Sequence, residues 1–378
     1  MSRFLYFSDI INKKGKIVKL LKKEFLFFIF LGLLILFIFK NPNELQNINN
    51  YINYPTIQAL TILLILTTAL QISKVFDLLA IKFINIFHTE KSLALFFISI
   101  TIVLSMFLTN DITLFIIVPL TIAIFKNLKN DITKLIIFEA IASNVGSLLT
   151  PIGNPQNLYL FHIWNISFFH FIYLMLPLFI IQTILIFIFA YFIFSNTPLT
   201  ITKLIIPKID KFLFVSTSIL FVLYIVLLEF HLIKFLIPII IVWYLFTKKE
   251  IFIKFDYFLI LTFILMFIDF HIIADFDFIK NIITKIDLNF FNTFNISIFL
   301  SQIMSNVPAT IFISQFSHNY QAITYGVNLA ASGLIISSLA NIIALRLNNQ
   351  KGYFMYHKYG IPYFIISYIF ITLYFMSF

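Results

Sequence analysis

The chain is a succession of long apolar runs, which short charged or turn-forming stretches interrupt. Of its 378 residues, 61% are hydrophobic and only 11% are charged, whereas soluble domains carry about 25% charged residues. So few charges cannot cover a soluble surface of this size. The sequence therefore predicts a polytopic membrane protein and excludes a soluble enzyme, a secreted disulfide scaffold and a disordered chain.

The charged residues indicate how the chain is oriented. There are 26 basic and 16 acidic residues, giving a net charge of +10, and no cysteine. Lys and Arg gather in short loops, where they set membrane topology, so we expect lipid contacts and no nucleic-acid partner. The basic segment 1–23 precedes an apolar run of signal-anchor length. We expect it in the cytoplasm, with the chain in the inner (plasma) membrane.

The apolar runs divide into continuous and interrupted segments, and none shows strand alternation. The continuous spans are predicted at 24–40, 54–73, 170–194, 212–229, 232–247, 255–271 and 357–376. Hairpins are predicted at 92–126 and 290–317, and broken helices at 134–163 and 320–347. Segments 75–88 and 272–289 are amphipathic and expected at the interface. The loop 41–53 carries no Lys or Arg and is expected outside.

Segment 290–317 is too short to cross twice. Its two halves have about 14 residues each, or about 21 Å of helix, against a hydrocarbon core of about 30 Å. It is therefore expected to be a re-entrant hairpin. Segment 92–126 has Lys91 before it and Lys126 at its end. Both of its ends are therefore expected on the cytoplasmic side, as in a second hairpin.

The order of these segments is repeated. Two spans, a hairpin, a broken helix and a span occur in 24–194, and a similar order recurs in 232–378. Residues 195–231, a cytoplasmic loop and a connecting span, would invert the second copy. The predicted fold class is an all-α polytopic membrane protein with two inverted-topology repeats, each with a re-entrant hairpin and a broken helix. Such repeats are typical of secondary transporters.

Polar residues fill the four interruptions. Each interruption begins a new half-helix, whose N-terminus carries about +0.5 charge and free N–H groups. Several such ends in one midplane cavity suit an anion, and unwound carbonyls beside Asn or Ser oxygens suit Na⁺. The alternative is that these residues only cap helices.

Four segments resemble a known family. Thr109-Asn110-Asp111-Ile112-Thr113 and Ser305-Asn306-Val307-Pro308-Ala309-Thr310 resemble the paired hairpin-tip motifs of divalent-anion/sodium symporters. Residues 143–157 resemble the unwound segment of the same ion-transporter superfamily, which includes citrate-transporter-like permeases and the arsenite-pump membrane subunit. Residues 326–341 resemble the second unwound segment of the arsenite-type branch. Neither tip is a complete Ser-Asn-Thr, since Asp111 and Val307 stand in the last place.

The resemblance implies a substrate site divided between the two halves. The residues expected to contact substrate are Thr109, Asn110, Thr113, Asn154, Pro155, Asn157, Ser305, Asn306, Thr310 and Asn341. Those expected to serve cation or proton coupling are Asp111, Glu139, Ser143, Asn144, Gly146 and Ser332. Sodium ligands are expected among Asn110, Asp111, Asn144 and Asn306.

Two carboxylates, those of Asp111 and Glu139, allow more than one interpretation. Asp111 at the first tip is either a coupling-ion ligand or proton acceptor, or an N-cap, because a carboxylate at that depth is costly unless it binds a cation or proton. An acidic tip also suits a neutral or cationic substrate. Glu139 is either a second proton carrier or the partner of a neighbouring hairpin. Asp269 is expected near an outer boundary, in contact with water.

The predicted function is secondary active transport of a small anion, a carboxylate or inorganic oxyanion, by alternating access with Na⁺ or H⁺ as coupling ion. No other cofactor is expected, and a homodimer is compatible with the sequence. The alternatives are a cation/proton antiporter, an arsenite-type efflux permease, a channel and, more distantly, a membrane-embedded enzyme. No metalloprotease motif or serine elbow supports the last. No Walker loop is present, so ATP-driven transport would need a separate subunit.

Overall fold

The computed structural model describes residues 24–84, 87, 89–125, 132–198, 207–348 and 352–376. Within these ranges the regular structure is helical, and the one β-bridge joins Thr89 to Pro198. The predicted cytoplasmic segment 1–23, residues 199–206 of the predicted cytoplasmic loop and the ends of some predicted spans lie outside the described residues.

Nine helices in the described residues precede the predicted connecting span. They are α1 (Phe25–Lys40), α2 (Glu44–Tyr51), α3 (Tyr54–Ser73), α4 (Val75–Ile84), α5 (Glu90–Phe107), α6 (Asn110–Phe125), α7 (Thr133–Ser147), α8 (Pro155–Trp164) and α9 (Phe168–Ile193).

Ten further helices follow in the described residues. They are α10 (Lys211–Glu229), α11 (Leu236–Thr247), α12 (Glu250–Lys254), α13 (Tyr257–Ala274), α14 (Asp277–Ile283), α15 (Phe290–Met304), α16 (Asn306–Ile313), α17 (Tyr320–Ala330), α18 (Leu339–Leu347) and α19 (Tyr353–Met376). Short 3₁₀ turns cover Ile233–Phe235 and Ile335–Ser337.

Six described helices are long and apolar enough to cross a membrane, namely α3, α5, α9, α10, α13 and α19. Their outward sides carry many large apolar residues, such as Phe192, Ile219 and Phe370. Lipid tails solvate such apolar surfaces well, whereas exposing them to water is unfavourable. The chain is therefore a multi-pass helical membrane protein.

The four predicted interruptions fall where helices end and restart. The first lies at Leu108–Thr109, between arms of 18 and 16 residues. The arms on either side of Ser305 have 15 and 8 residues, so the second arm is far shorter than the first. The remaining two interruptions separate α7 from α8 and α17 from α18.

The segment 41–53, predicted as an external loop, contains a short helix, Glu44–Tyr51. Glu44 begins this helix α2, and its carboxylate accepts hydrogen bonds from Asn41 at 2.9 Å and Tyr51 at 2.8 Å. A carboxylate in the first turn complements the helix dipole. The two hydrogen bonds of Glu44 thus stabilise a polar helix that hydropathy alone does not predict.

Two helix pairs pack most extensively, and they occupy equivalent places in the two halves: α5 with α7, and α15 with α17. A glycine lies at each contact. A Cβ added to Gly146 would lie 2.2 Å from the carbonyl oxygen of Ile102, and one added to Gly326 would lie 2.6 Å from that of Phe294. Only glycine allows backbones to approach so closely in membrane helices. Gly146, predicted to shape a cation site, therefore has a packing role at this contact.

We predict that Gly146→Ala destabilises the protein by about 1–3 kcal/mol, because the α5 and α7 backbones would have to separate. The measurement is the Tm of the purified protein in detergent. Gly32→Ala is the matched control, since a Cβ there meets no atom within 4 Å. Equal Tm values for the two variants would contradict the close-contact explanation.

Candidate functional site

Four helix N-termini begin at the interruptions, and a small polar residue stands before each. Thr109 precedes α6, Asn154 precedes α8, Ser305 precedes α16 and Ser338 precedes α18. All four residues are buried. Such residues are strongly preferred as helix caps because they can bond free N–H groups. The Asn154 side chain does so, accepting from the backbone N–H of Asn157 at 2.9 Å.

The first two interruptions are bonded to each other. The backbone N–H of Asn110 donates to the carbonyl of Gly153 at 3.0 Å, and the hydroxyl of Thr150 donates to the carbonyl of Met106 at 2.6 Å. The Asn157 side chain donates to the carbonyls of Ser147, Leu148 and Thr150 at 3.1–3.2 Å. These bonds satisfy carbonyls left free where α7 ends, which an apolar interior requires.

A carboxamide network joins the two halves of the chain. Its members are Asn144, Asn154, Asn157, Asn328 and Asn341. Asn144 Nδ2 donates to Asn341 Oδ1 at 2.9 Å. Asn154 Nδ2 donates to Asn328 Oδ1 at 3.0 Å, and Asn328 Nδ2 donates to Asn157 Oδ1 at 2.7 Å. The broken helices of the two halves therefore meet through side-chain amides.

The fourth interruption contacts the same network. The Ser338 hydroxyl donates to Asn144 Oδ1 at 2.9 Å, and Asn341 Nδ2 donates to the carbonyl of Ala331 at 2.8 Å. The Asn110 side chain reaches Asn144 Oδ1 at 3.4 Å. Three of the four interruptions are thus bonded directly to one another.

Gln302 connects the second tip to the fourth interruption, which separates α17 from α18. Its Nε2 donates to the carbonyl of Ala330 at 2.9 Å, and its Oε1 accepts from the backbone N–H of Leu334 at 2.7 Å. Ser305, one turn further along, has a φ of 74°, in the left-handed region that non-glycine residues rarely adopt. Strain of this kind clusters at functional sites. The two hydrogen bonds of Gln302 place the fourth interruption beside the second tip.

Three buried hydrogen-bond donors of the predicted site residues have no partner among the described residues. They are Asn306 Nδ2, Thr113 Oγ1 and Ser332 Oγ. Buried polar groups are almost always paired, with water or a ligand if not with protein. These three atoms lie on three of the interrupted segments.

A cavity of about 340 Å³ reaches the first tip. Asp111 and Phe115 of α6 lie on its wall, opposite Thr68 of α3, Thr262 of α13 and Leu339, the first residue of α18. Glu24, Lys254, Asp256 and Arg346 line it as well. The cavity therefore carries charges of both signs and joins residues from both halves.

The hydroxyl groups of other predicted site residues are already hydrogen-bonded within the protein. The hydroxyls of Ser143 and Thr310 donate to carbonyls of their own helices, those of Ala140 at 2.8 Å and Asn306 at 2.6 Å. Pro155 is buried in the first turn of α8. These side chains shape the interruptions more than they offer free ligand atoms.

Glu139 lies apart from the tips. Its carboxylate accepts a hydrogen bond from Thr121 on the second arm of the first hairpin, and its other oxygen has no partner among the described residues. Thr121 is ten residues beyond Asp111, about 15 Å along α6. The bond to a neighbouring hairpin, one of the two interpretations of Glu139, is thus present.

The expectation that Asp269 contacts water is wrong. Asp269 is 0% exposed, and neither carboxylate oxygen has a partner among the described residues. It lies five residues before the end of α13, and α1, α2, α3 and α16 pack against this helix. The length of an apolar run does not reveal which other helices pack against it, so the sequence did not predict the burial of Asp269.

Sequence reasoning did not select Asn328, Gln302 and Ser338 as site residues. Each bonds an interruption or the carboxamide network. A usable signal was present, since amide side chains inside otherwise apolar helices are costly and mark functional or structural contacts. In the described part of the chain no group of three or more His, Asp or Glu side chains could hold a metal ion.

Membrane-crossing helices, interrupted helices bonded across two halves and a polar cavity at the interruptions define a multi-pass membrane transporter. A family model for citrate transporters matches residues 17–322. The chain belongs to this citrate transporter family.

Two curated relatives extend over most of the chain. It is 36% identical over 332 residues to the uncharacterized transporter MJ0456 of Methanocaldococcus jannaschii, covering 86% of this chain and 89% of that protein. It is 33% identical over 314 residues to the inner membrane protein YbiR of Escherichia coli, covering 82% of this chain and 84% of that protein.

Proposed function

We propose that this transporter moves a small anion, a carboxylate or an inorganic oxyanion, by secondary active transport coupled to Na⁺ or H⁺. The observation that carries the proposal is that four helices begin at polar residues of the interruptions, with Asn306 Nδ2, Thr113 Oγ1 and Ser332 Oγ on these segments unpartnered among the described residues. Helix N-termini and side-chain donors together bind anions.

The proposed coupling site is the first tip. Asp111 lies on the cavity wall, and no described residue donates a hydrogen bond to its carboxylate. Asn110 and Asn144 offer amide oxygens beside it, and the end of α7 offers carbonyls. Carboxylate and amide oxygens suit a hard cation, so Asp111, Asn110, Asn144 and, from the second tip, Asn306 are the proposed Na⁺ ligands.

The proposed architecture is two inverted repeats that alternate in access to the site. The equivalent packing of α5 with α7 and of α15 with α17, each with a glycine at the contact, supports a repeat. We assign segments 92–126 and 290–317 as re-entrant hairpins. With Lys254 and Arg346 on the cytoplasmic side, as the positive-inside rule requires, the cavity faces the cytoplasm. The printed name of YbiR supports the inner membrane as the location.

A cation/proton antiporter is the second candidate. The observation that favours it is the excess of acidic groups on the cavity wall, where Glu24, Asp111 and Asp256 face Lys254 and Arg346. Proteoliposomes separate the two functions. An anion transporter takes up a labelled anion against its gradient when Na⁺ or pH gradients are imposed, whereas an antiporter exchanges cations for protons with no added anion.

We predict that the wild-type protein accumulates at least one of citrate, succinate, sulfate, phosphate and arsenite in such liposomes. Asn110→Ala and Asn306→Asp should each lower that uptake more than tenfold, since tip donors are lost to a shared site. Asn306→Asp keeps the oxygen that accepts from Val307 at 2.9 Å but removes the unpartnered Nδ2.

The matched control for these variants is Asn50→Ala, an exposed asparagine of α2. Size-exclusion profiles and Tm values establish that each variant is folded. Full uptake by folded Asn306→Asp would mean that Asn306 only caps its helix. Equilibration without accumulation by the wild-type protein would indicate a channel.

We predict that Asp111→Asn retains anion exchange but loses gradient-driven accumulation. Asparagine keeps the shape and a capping oxygen, but it removes the charge that would bind the coupling cation or proton. Both modes are measured in one liposome preparation. Undiminished, ion-dependent accumulation by this variant would remove Asp111 from coupling and leave the asparagine and carbonyl oxygens as the cation ligands.

A further inference from the structure

Asp269 is a buried carboxylate that the proposed site does not use. It is 0% exposed, and both oxygens lack a partner among the described residues. By contrast, Asp210 at the start of α10 accepts from the backbone N–H of Leu213 at 3.0 Å and pairs with Lys248 at 3.3 Å. Burying an unpaired ionised carboxylate costs several kcal/mol. The Asp269 side chain is therefore neutral in this conformation.

The helices around α13 supply no counter-charge. Neither α3 nor α16 contains an Asp, Glu, Lys or Arg residue. Lys40 at the end of α1 lies over the Phe276 ring at 5.3 Å, and Lys280 of α14 pairs with Asp275 at 2.8 Å. The remaining titratable groups on α13 and its neighbours are Glu24, Glu44, Tyr51, Tyr54, Asp256, Tyr257, His271 and Asp277, together with Tyr159 of α8, whose ring lies 5.1 Å from that of Phe267, and none is bonded to Asp269.

A metal cation fits this position poorly. Hard cations take several oxygen ligands, and the described residues contain no cluster of three acidic or imidazole groups that includes Asp269. A proton, in contrast, needs only the carboxylate itself. It also removes the cost of burying a charge.

Asp269 lies between the cavity and the opposite end of α13. Thr262 lines the cavity and is seven residues earlier, which places Asp269 on the same helix face about 10.5 Å further along. Ala274, the last residue of α13, is about 7.5 Å beyond Asp269. The helix also packs against α16, which Asn306 begins. If the protein opened on the side away from the cavity, water would therefore reach the Asp269 carboxyl group.

We propose that Asp269 is a proton-binding site of the transport cycle, protonated in the conformation described and able to exchange its proton with water when the opposite side opens. The carboxylate takes one proton from water on one side and returns it on the other, and no further reactant is needed. The inference rests on the proposed function and names H⁺ as a coupling ion. An ionised Asp269 is unfavourable in the closed arrangement of helices that buries it. Protonation of Asp269 therefore shifts the equilibrium between the conformations that open to the two sides of the membrane.

Infrared spectroscopy of the purified protein tests the protonation state. We expect the wild type at neutral pH to show the carbonyl absorption of a protonated carboxyl group, part of which Asp269→Asn should remove. Asp277→Asn, on an exposed residue just beyond α13, is the matched control and should leave the absorption unchanged. Identical spectra for the wild type and Asp269→Asn would overturn the proposal.

Cysteine labelling tests whether that protonation is coupled to conformation. Ile343→Cys introduces a single thiol on the cavity wall of the cysteine-free chain. Its rate of reaction with a membrane-impermeant maleimide is normalised to that of Asn50→Cys, which corrects for thiol ionisation. We expect the normalised rate to change about tenfold between acidic and alkaline buffer and to become pH-independent with Asp269→Asn.

A pH response that persists in Asp269→Asn would overturn the proposal and leave Asp269 as a buried neutral acid. If Asp269→Asn does not fold, Asp269→Glu keeps a titratable group and is expected to retain the response, and its absence there would contradict the proposal. Neither measurement needs a transported anion. Failure of all five anions to accumulate would therefore refute the proposed function separately from this inference.

Discussion

Side-chain amides hold together a backbone that an apolar interior would otherwise not tolerate. Each interruption frees N–H and carbonyl groups, and in a bilayer such groups must be satisfied within the protein. Asn157 bonds three carbonyls near the end of α7, and Asn144, Asn154, Asn328 and Asn341 bond the interruptions of the two halves to each other. Asn110 and Ser338 are also bonded to this network, through Asn144 Oδ1.

The same network leaves a limited set of groups free. Among the described residues, the buried polar atoms without a partner include Asn306 Nδ2, Thr113 Oγ1 and Ser332 Oγ on the interrupted segments, as well as the carboxylate of Asp269 and one oxygen of Glu139. Asp111 lies at the first tip, whereas Asp269 lies on the continuous helix α13. This arrangement suits a protein that binds an anion with neutral donors and helix N-termini and binds a proton on Asp269.

Much of this arrangement could be predicted from sequence. Apolar run lengths predicted the helices, and Asn-Pro, Ser-Asn and Thr-Asn pairs predicted the interruptions, because capping and proline effects are local. Contacts between distant segments could not be predicted in this way. The bonds of Asn328 to Asn154 and Asn157 join residues more than 170 positions apart, and the burial of Asp269 depends on four helices that pack around α13. Lateral packing leaves little trace in the local pattern of hydropathy.

The most direct test of this account is a cryo-EM map of the protein with the anion that it accumulates in liposomes. The account predicts density for the anion where α6, α8, α16 and α18 begin, within hydrogen-bond distance of Asn306 Nδ2 and of donors from the first tip. Density bound by one half of the chain alone, or at a surface remote from these four helix N-termini, would contradict a site shared by the two halves.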